Sequence, residues 1–397
     1  MESSPVTGSF RTLAALPTSS VAAGPSRPLR CIHATSSFAL GGREIRIAEL
    51  INLAGGSAEH EIVALDGRTD ASERIEKGIE VTYASPPGGR GPFGRIRSIR
   101  ALLRVRRPDL VLTYNWGAIE WIVAAGSLGI PVVHHEDGFG PDEVEKRLRR
   151  RNAFRRFAFR SATAVIVPSI VLRSIAQDEW GQSSPRLHYL PNGVDTERFR
   201  PGDAKPVRAD ERLVIGCVGR LRGEKDQASA IRALARCQHR DRLRLVLVGD
   251  GPFEDEWKAL AVSEGVAEFV DFRGPVRDSA PCYREFDVFA IPSKTEQMPI
   301  SLLEAMATCL PIVGTDVGDV SAMLSDANRG AELLVPPGDS NALARVFDAV
   351  VELGEARPEL GASNRDRVKR DFERESCFGA YLEVYRASAA SGRFEAP

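Results

Sequence analysis

Two glutamates, Glu296 and Glu304, stand eight positions apart in the run I-P-S-K-T-E-Q-M-P-I-S-L-L-E from Ile291 to Glu304. Between them, Pro299 opens a helical pattern through Ile300, Ser301 and Leu302. A helix start leaves its first N–H groups without intrahelical partners, and the helix dipole makes that end positive. Such a place holds a phosphate without a metal or a lysine. A carboxylate on each side can then accept hydrogen bonds from ribose hydroxyls and from sugar hydroxyls, which is the requirement of a nucleotide-sugar site. Two glutamates at this spacing also occur on any solvated helix. The setting is what distinguishes these: an apolar run over Val288–Ile291, a break at Pro292 and Ser293, a helix start, then a second apolar run at Pro311–Thr315.

Other loops after apolar runs hold groups of the same kind. Arg220 and Lys225, in G-R-L-R-G-E-K-D, put a forked and a point cation where they can clamp a diphosphate. Gly249, in V-G-D-G-P, gives a tight turn, and Arg273, in F-R-G-P, offers backbone groups to the edge of a planar base. Gly41 and Gly42 precede a helix, permit close backbone approach and form a second phosphate contact or a simple turn. His134, His135, Glu136 and Asp137 form the densest polar cluster at a strand end. By period-2 alternation His135 and Asp137 share one face, and His134 and Glu136 the other. With no further His or Cys patch to complete a ligand set, no metal is expected. These side chains instead bind an acceptor or steady a reacting sugar. Neither G-x-G-x-x-G after Thr35 nor G-x-x-x-x-G-K-[ST] is present.

The elements that must position these loops alternate along the chain. Strands are expected at Arg30–Thr35, Glu61–Leu65, Glu80–Tyr83, Leu110–Tyr114, Pro131–His135, Ala164–Pro168 and Leu187–Leu190. After turn-rich Pro191–Asp203 and polar Ala204–Arg212, the alternation restarts. Strands follow at Leu213–Gly219, Leu243–Gly249, Phe269–Arg273, Val288–Ile291, Pro311–Thr315 and Glu332–Val335. Apolar strands alternating with helices indicate parallel sheets covered on both faces. The reading is an α/β protein: a disordered segment 1–28, Rossmann-like domains 29–203 and 204–364, one last helix over 365–387, and a tail 388–397. Ligands bind between the carboxyl ends of such strands, in the cleft where the domains face each other.

Length and composition agree. The 397 residues suffice for two domains, and 43% apolar with 27% charged residues is ordinary for a soluble protein. A net charge of −1 gives no global signal for a polyanion. The six scattered cysteines read as reduced thiols of a cytoplasmic protein. No apolar run reaches spanning length, and Leu13–Leu16 is too short for a secretion signal. Arginine concentrates at 90–107 and 146–160, the second interleaved with Leu148, Phe154, Phe157, Ala158 and Phe159. An Arg-rich amphipathic helix can lie on an anionic membrane, here the inner face of the plasma membrane; packing of the Phe face on its own domain is the alternative. No nucleic-acid-binding motif accompanies the basic residues.

Taken together, residues 30–385 resemble the retaining nucleotide-sugar glycosyltransferases of family 4, which have the GT-B fold. The resemblance rests on E-x7-E at Glu296 and Glu304 with the following A-M-A-T-C-L-P-I-V, on P-N-G-V-D at Pro191–Asp195, on G-R-L-x-x-x-K-D at Gly219–Asp226, on V-G-D-G-P and on L-V-P-P-G-D at Leu334–Asp339. It implies that Arg220 and Lys225 bind the diphosphate of a UDP- or GDP-sugar, assisted by amides near Pro299–Leu302. It also implies that Glu304 binds the ribose, that Glu296 binds the transferred sugar, that no metal or other cofactor is needed, and that the last helix crosses back to the first domain. The expected reaction is hexose transfer to a carbohydrate or lipid-linked acceptor in polysaccharide, exopolysaccharide or lipid-linked glycan synthesis. Three positions depart from the family: Gln297 replaces the usual Gly, Asp137 stands where His is common, and Asp319 replaces a Gly. The same fold also admits a nucleotide-sugar isomerase or hydrolase, and a non-catalytic sugar-nucleotide-binding partner.

Overall fold

The computed structural model describes residues 27–140, 143, 147–202 and 211–392. The expected disordered segment up to residue 26, most of the polar linker at 203–210, Lys146 and the tail beyond 392 lie outside the described residues. Among the described residues, those of 193–374 form one compact unit, and those of 27–192 together with 375–392 form the other.

The first unit contains β1 (Leu29–Thr35), α1 (Gly42–Ala54), β2 (Ala58–Ala64), β3 (Val81–Tyr83), α2 (Gly91–Arg106), β4 (Leu110–Tyr114), α3 (Ile119–Gly126), β5 (Val132–His135), α4 (Arg149–Ala158), β6 (Ala164–Val167), α5 (Ile170–Asp178) and β7 (Leu187–Tyr189). The second contains β8 (Leu213–Val218), α6 (Gln227–Arg236), β9 (Leu243–Val248), α7 (Glu254–Ser263), β10 (Val270–Gly274), α8 (Ala280–Glu285), β11 (Val288–Ile291), α9 (Ile300–Ala307), β12 (Ile312–Thr315), α10 (Val320–Met323), α11 (Asp326–Gly330), β13 (Leu334–Val335), α12 (Ser340–Glu352) and α13 (Ala356–Asp371). The final helix, α14 (Arg374–Ser391), packs Cys377, Phe378, Tyr381, Leu382 and Tyr385 into the core of the first unit.

Each expected strand is present, within a few residues of its expected ends. All pairings are parallel, in the orders β3-β2-β1-β4-β5-β6-β7 and β10-β9-β8-β11-β12-β13. Strand alternation explains the two-sided cores. In β9, Leu243, Leu245 and Leu247 face α6, α7 and α12, while Val246 and Val248 face α8, α9 and α13. In the first unit α1 and α14 cover one sheet face and α2, α3, α4 and α5 the other.

The structure corrects the expectation of one last helix over 365–387. The stretch is two helices, α13 and α14, separated at Phe372, where φ is −134° and ψ 20°. Glu373 there leaves the helix to bridge Val194 and to accept from the Thr196 hydroxyl at 2.6 Å. Helical periodicity continues through the break because Val368 and Phe372 still face one core.

Candidate functional site

In the second sheet the strand order reverses between β8 and β11, whose neighbours on the far sides are β9 and β12. Ligands of open parallel sheets bind at such a switch point, outside the carboxyl ends of the strands. Lys225 follows β8 and Glu296 follows β11, so these residues arrive from opposite sides of the switch. Lys225 Nζ lies 2.6 Å from Glu296 Oε1. Ser293 donates to the same oxygen at 2.7 Å, and the Lys294 amide donates to the Glu224 carbonyl at 2.9 Å, tying the two loops together. The Glu296 side chain is 9% exposed and that of Lys225 32%, so the carboxylate is held and the ammonium is reachable.

Arg220 lies in the same β8 loop. Its nearest carboxylate is Asp250 at 3.8 Å, and its buried Nε has no hydrogen-bond partner among the described residues. A cation with unsatisfied donors can take an anion as a further partner. Gly249 has φ 135°, and a Cβ there would stand 2.1 Å from the Gly219 carbonyl oxygen. Glycine is therefore required where the β8 and β9 loops stack. Arg273, at the end of β10, turns its guanidinium to Asp271 at 3.1 Å and Glu285 at 2.5 Å.

Pro299 is the N-cap of α9, one position earlier than its expected place inside the first turn, and α9 begins at Ile300. Ile300, Ser301 and Leu302 make the first turn; the Leu302 amide bonds back to the Pro299 carbonyl at 3.2 Å. Glu304 stands one turn in and accepts from the Tyr283 hydroxyl at 2.6 Å. Burial first, and then the Glu304 charge, pushes the Tyr283 phenol well above its usual range, so it remains a donor.

Three residues at the end of β12 and in the loop after it, to which the sequence assigns no role, support this site. Gly318 (φ 56°) lies so close to the Glu296 loop that a Cβ would fall 2.0 Å from the Glu296 carbonyl oxygen. The Asp319 amide donates to the Gln297 carbonyl at 3.0 Å, and the Thr315 hydroxyl donates to the Ser293 carbonyl at 2.5 Å. The loop after β12 thus fixes the loop that bears Glu296. The only sequence signal was a glycine after a strand, which a plain turn also produces.

The first-unit residues form a separate constellation. Alternation along β5 separates the pairs as expected: His134 meets Glu136, which pairs with Arg155 of α4, while His135 faces α14 and Asp137 lies against Arg46 of α1. His135, expected at a sugar or acceptor, is corrected to an interior residue. It is fully buried and stacked on Tyr114 at 4.6 Å. Its Nδ1 faces the Thr113 carbonyl at 3.2 Å, which can only accept, so Nδ1 carries the proton and Nε2 accepts from the Tyr385 hydroxyl at 2.7 Å. Burial, helped by the nearby Arg46 charge, lowers its pKa to about 3 and keeps it neutral.

Asp137 pairs with Arg46 at 2.7 Å. Burial pulls its pKa up, but the Arg46 guanidinium outweighs this and holds it below the usual carboxylate range. Arg46, missed in the sequence, is 2% exposed and also donates to Asn192 at 3.0 Å. Its only signal was its place in a helix otherwise facing the core. Gly41 caps α1 with φ −168°, a backbone open to any residue, so positive φ is not the reason for glycine here. A Cβ on Gly41 would instead meet the Glu44 carboxylate at 2.6 Å, and Gly42 is the first residue of the helix. Among the described residues no group of three or more His, Cys, Asp or Glu side chains is arranged around a common metal position.

Comparison with known proteins adds to this geometry. Residues 212–352 match the family model described as glycosyl transferases group 1, and residues 41–193 match the glycosyl transferase 4-like domain. A Bacillus subtilis protein assigned as glycosyltransferase EpsF is 26% identical over 90% of this chain and 97% of its own length. A GDP-mannose-dependent α-(1-6)-phosphatidylinositol monomannoside mannosyltransferase of Mycobacterium tuberculosis is 34% identical over 52% of this chain and 57% of its own length. Among solved structures, Anabaena HepE in complex with UDP and glucose superposes with a TM-score of 0.77 at 19% identity, over 90% of this chain and all of that one. The lipopolysaccharide-biosynthesis glycosyltransferase WaaG superposes with a TM-score of 0.69 at 16% identity, over 89% of this chain and 99% of that one. Likeness at this identity establishes the fold, which is GT-B.

Proposed function

The chain belongs to the group 1 glycosyltransferases, and from that premise we propose that it is a retaining enzyme moving a hexose from a UDP- or GDP-sugar to an acceptor hydroxyl. The observation that carries this reading is the Lys225–Glu296 contact across the switch point, beside the incompletely partnered Arg220. In the proposed reaction the bond between the anomeric carbon and the diphosphate oxygen breaks, and a bond to the acceptor oxygen forms on the same face. The acceptor proton passes to the departing diphosphate. Arg220, Lys225 and the opening amides of α9 take up the charge that develops on the leaving group, and no metal is required for that. Preorganised cations and amides of this kind supply the largest share of acceleration in such sites.

Binding changes the partners of the pair. Once Lys225 turns to phosphate, Glu296 is left with Ser293 and can accept from sugar hydroxyls. Glu304, aligned by Tyr283, accepts from the ribose, and the backbone at Arg273 meets the base. UDP is favoured by the ligand of HepE, GDP by the donor of the mycobacterial mannosyltransferase. The acceptor is a carbohydrate or a lipid-linked glycan. The six free cysteines suit the cytoplasm.

Calorimetric titration with UDP, GDP and their sugars, with and without EDTA, tests the reading. One nucleotide is expected to bind in both conditions, and Arg220→Ala and Glu304→Ala are expected to abolish binding while staying folded. Absence of binding by any nucleoside diphosphate to folded protein refutes the proposed donor site.

A further inference from the structure

The two most exposed large apolar side chains among the described residues in the first unit, Phe93 at 89% and Val105 at 78%, both lie on α2. The helix turns Ile99 and Leu103 into the core. Phe93, Arg97, Arg100 and Arg104 follow at intervals of four, three and four, so they form one stripe along the outside. Arg95 and Arg106, off that stripe, pair with Glu120 and Glu61. Arg97, Arg100 and Arg104 have no carboxylate partner among the described residues. No Asp or Glu occurs between residues 81 and 108. A positive stripe ending in an exposed phenylalanine is thus left without any counter-charge from its own fold.

The other Arg-rich segment is built differently. In α4, Arg155 is fully buried between Glu136 and Glu143, and Ala158 and Phe159 enter the core. Phe157, 56% exposed, faces outward together with Arg149, Arg150, Ala153, Arg156 and Arg160. Both helices flank α3 on one face of the sheet, so the outward groups of α4 lie on the same side as the α2 stripe.

We propose that the outer face of α2 docks on an anionic lipid bilayer. Phe93 enters the acyl boundary, Arg97, Arg100 and Arg104 meet lipid phosphates, and Val105 with Phe157 forms the apolar margin. Charge complementarity selects an anionic partner, and the exposed phenylalanine and valine select one with an apolar interior. Among the described residues no helix is long and apolar enough to cross a membrane, so the contact is peripheral.

Co-sedimentation of the full chain with vesicles tests this without nucleotide, so its failure leaves the donor-site reading untouched. Binding to phosphatidylcholine vesicles containing phosphatidylglycerol is expected, with little to pure phosphatidylcholine, and it should weaken as salt is raised. The triple variant Arg97→Gln, Arg100→Gln, Arg104→Gln should lose about a hundredfold in partitioning, about fivefold per arginine. Phe93→Ser should lose about tenfold. Circular dichroism verifies the fold of each variant, and Arg97→Glu, a single exposed change, should act in the same direction. Equal binding by the folded triple variant overturns the proposal. So does a wild-type protein that binds RNA or heparin but no vesicle, since the stripe would then serve a soluble polyanion.

Discussion

Five of the six histidines lie in the first unit and one, His239, in the second. The two units share a plan but treat polar groups at their strand ends oppositely. In the first, His33, His60, His134, His135, Arg46, Glu136 and Arg155 are drawn inside, where His33 meets His60 and Tyr114, His135 meets Tyr385, Glu136 meets His134 and Arg155, and Arg46 meets Asp137. In the second, the sheet interior is nearly all apolar, and Arg220, Lys225 and Glu296 stand at the rim in loops. The difference teaches where each kind of group acts. A buried network fixes one arrangement of the core, because leaving any member unpaired is costly. A rim cation with few partners costs the fold little and remains available to a ligand.

The contrast breaks most visibly at Arg155. Arg155→Met leaves Glu136 buried without its cation and Glu143 with Arg151 alone, and should destabilise the protein by about 3–5 kcal/mol in urea unfolding. Lys225→Ala at the rim should do the reverse. Turnover is expected to fall about 10²–10³-fold, equivalent to about 3–4 kcal/mol, while the unfolding midpoint barely moves. A comparable loss of stability in Lys225→Ala would show that the rim pair is structural.

Acidification should act through the first unit. Burial holds His33 well below its ordinary range and lowers His60 to about 4 and His135 to about 3. The unfolded chain therefore takes up protons near pH 6.5 that the native protein refuses. Stability is full above pH 6.5 and falls as pH drops toward 4, by about 1.4 kcal/mol per pH unit for each such imidazole. Urea midpoints between pH 7.5 and 5 measure the slope, and His60→Gln should flatten it by about one proton. The smallest effect belongs to a helix cap of the second unit. Asp339 accepts from the Asn341 and Ala342 amides, and Asp339→Ala should cost about 1 kcal/mol of stability without touching nucleotide binding.

Much of this was legible in the chain. Apolar runs such as Leu110–Tyr114 and Val288–Ile291 declare strands, because a parallel strand buried on both faces must be apolar throughout. Their order declares the fold, and the loops after them bear Arg220, Lys225, Glu296 and Glu304, the residues of the candidate site. Local pattern determines these features, since each depends on a few consecutive residues and on strand alternation. What the tertiary structure alone decided is which polar groups meet. That His135 turns inward to Tyr385, 250 positions away, depends on α14 returning to the first unit. That Arg46 neutralises Asp137 and that Gly318 presses on the Glu296 loop depend on packing between segments distant in sequence. So does the burial of Arg155 in the second arginine cluster, since periodicity marks the face a helix could bury but not whether two carboxylates wait beneath it.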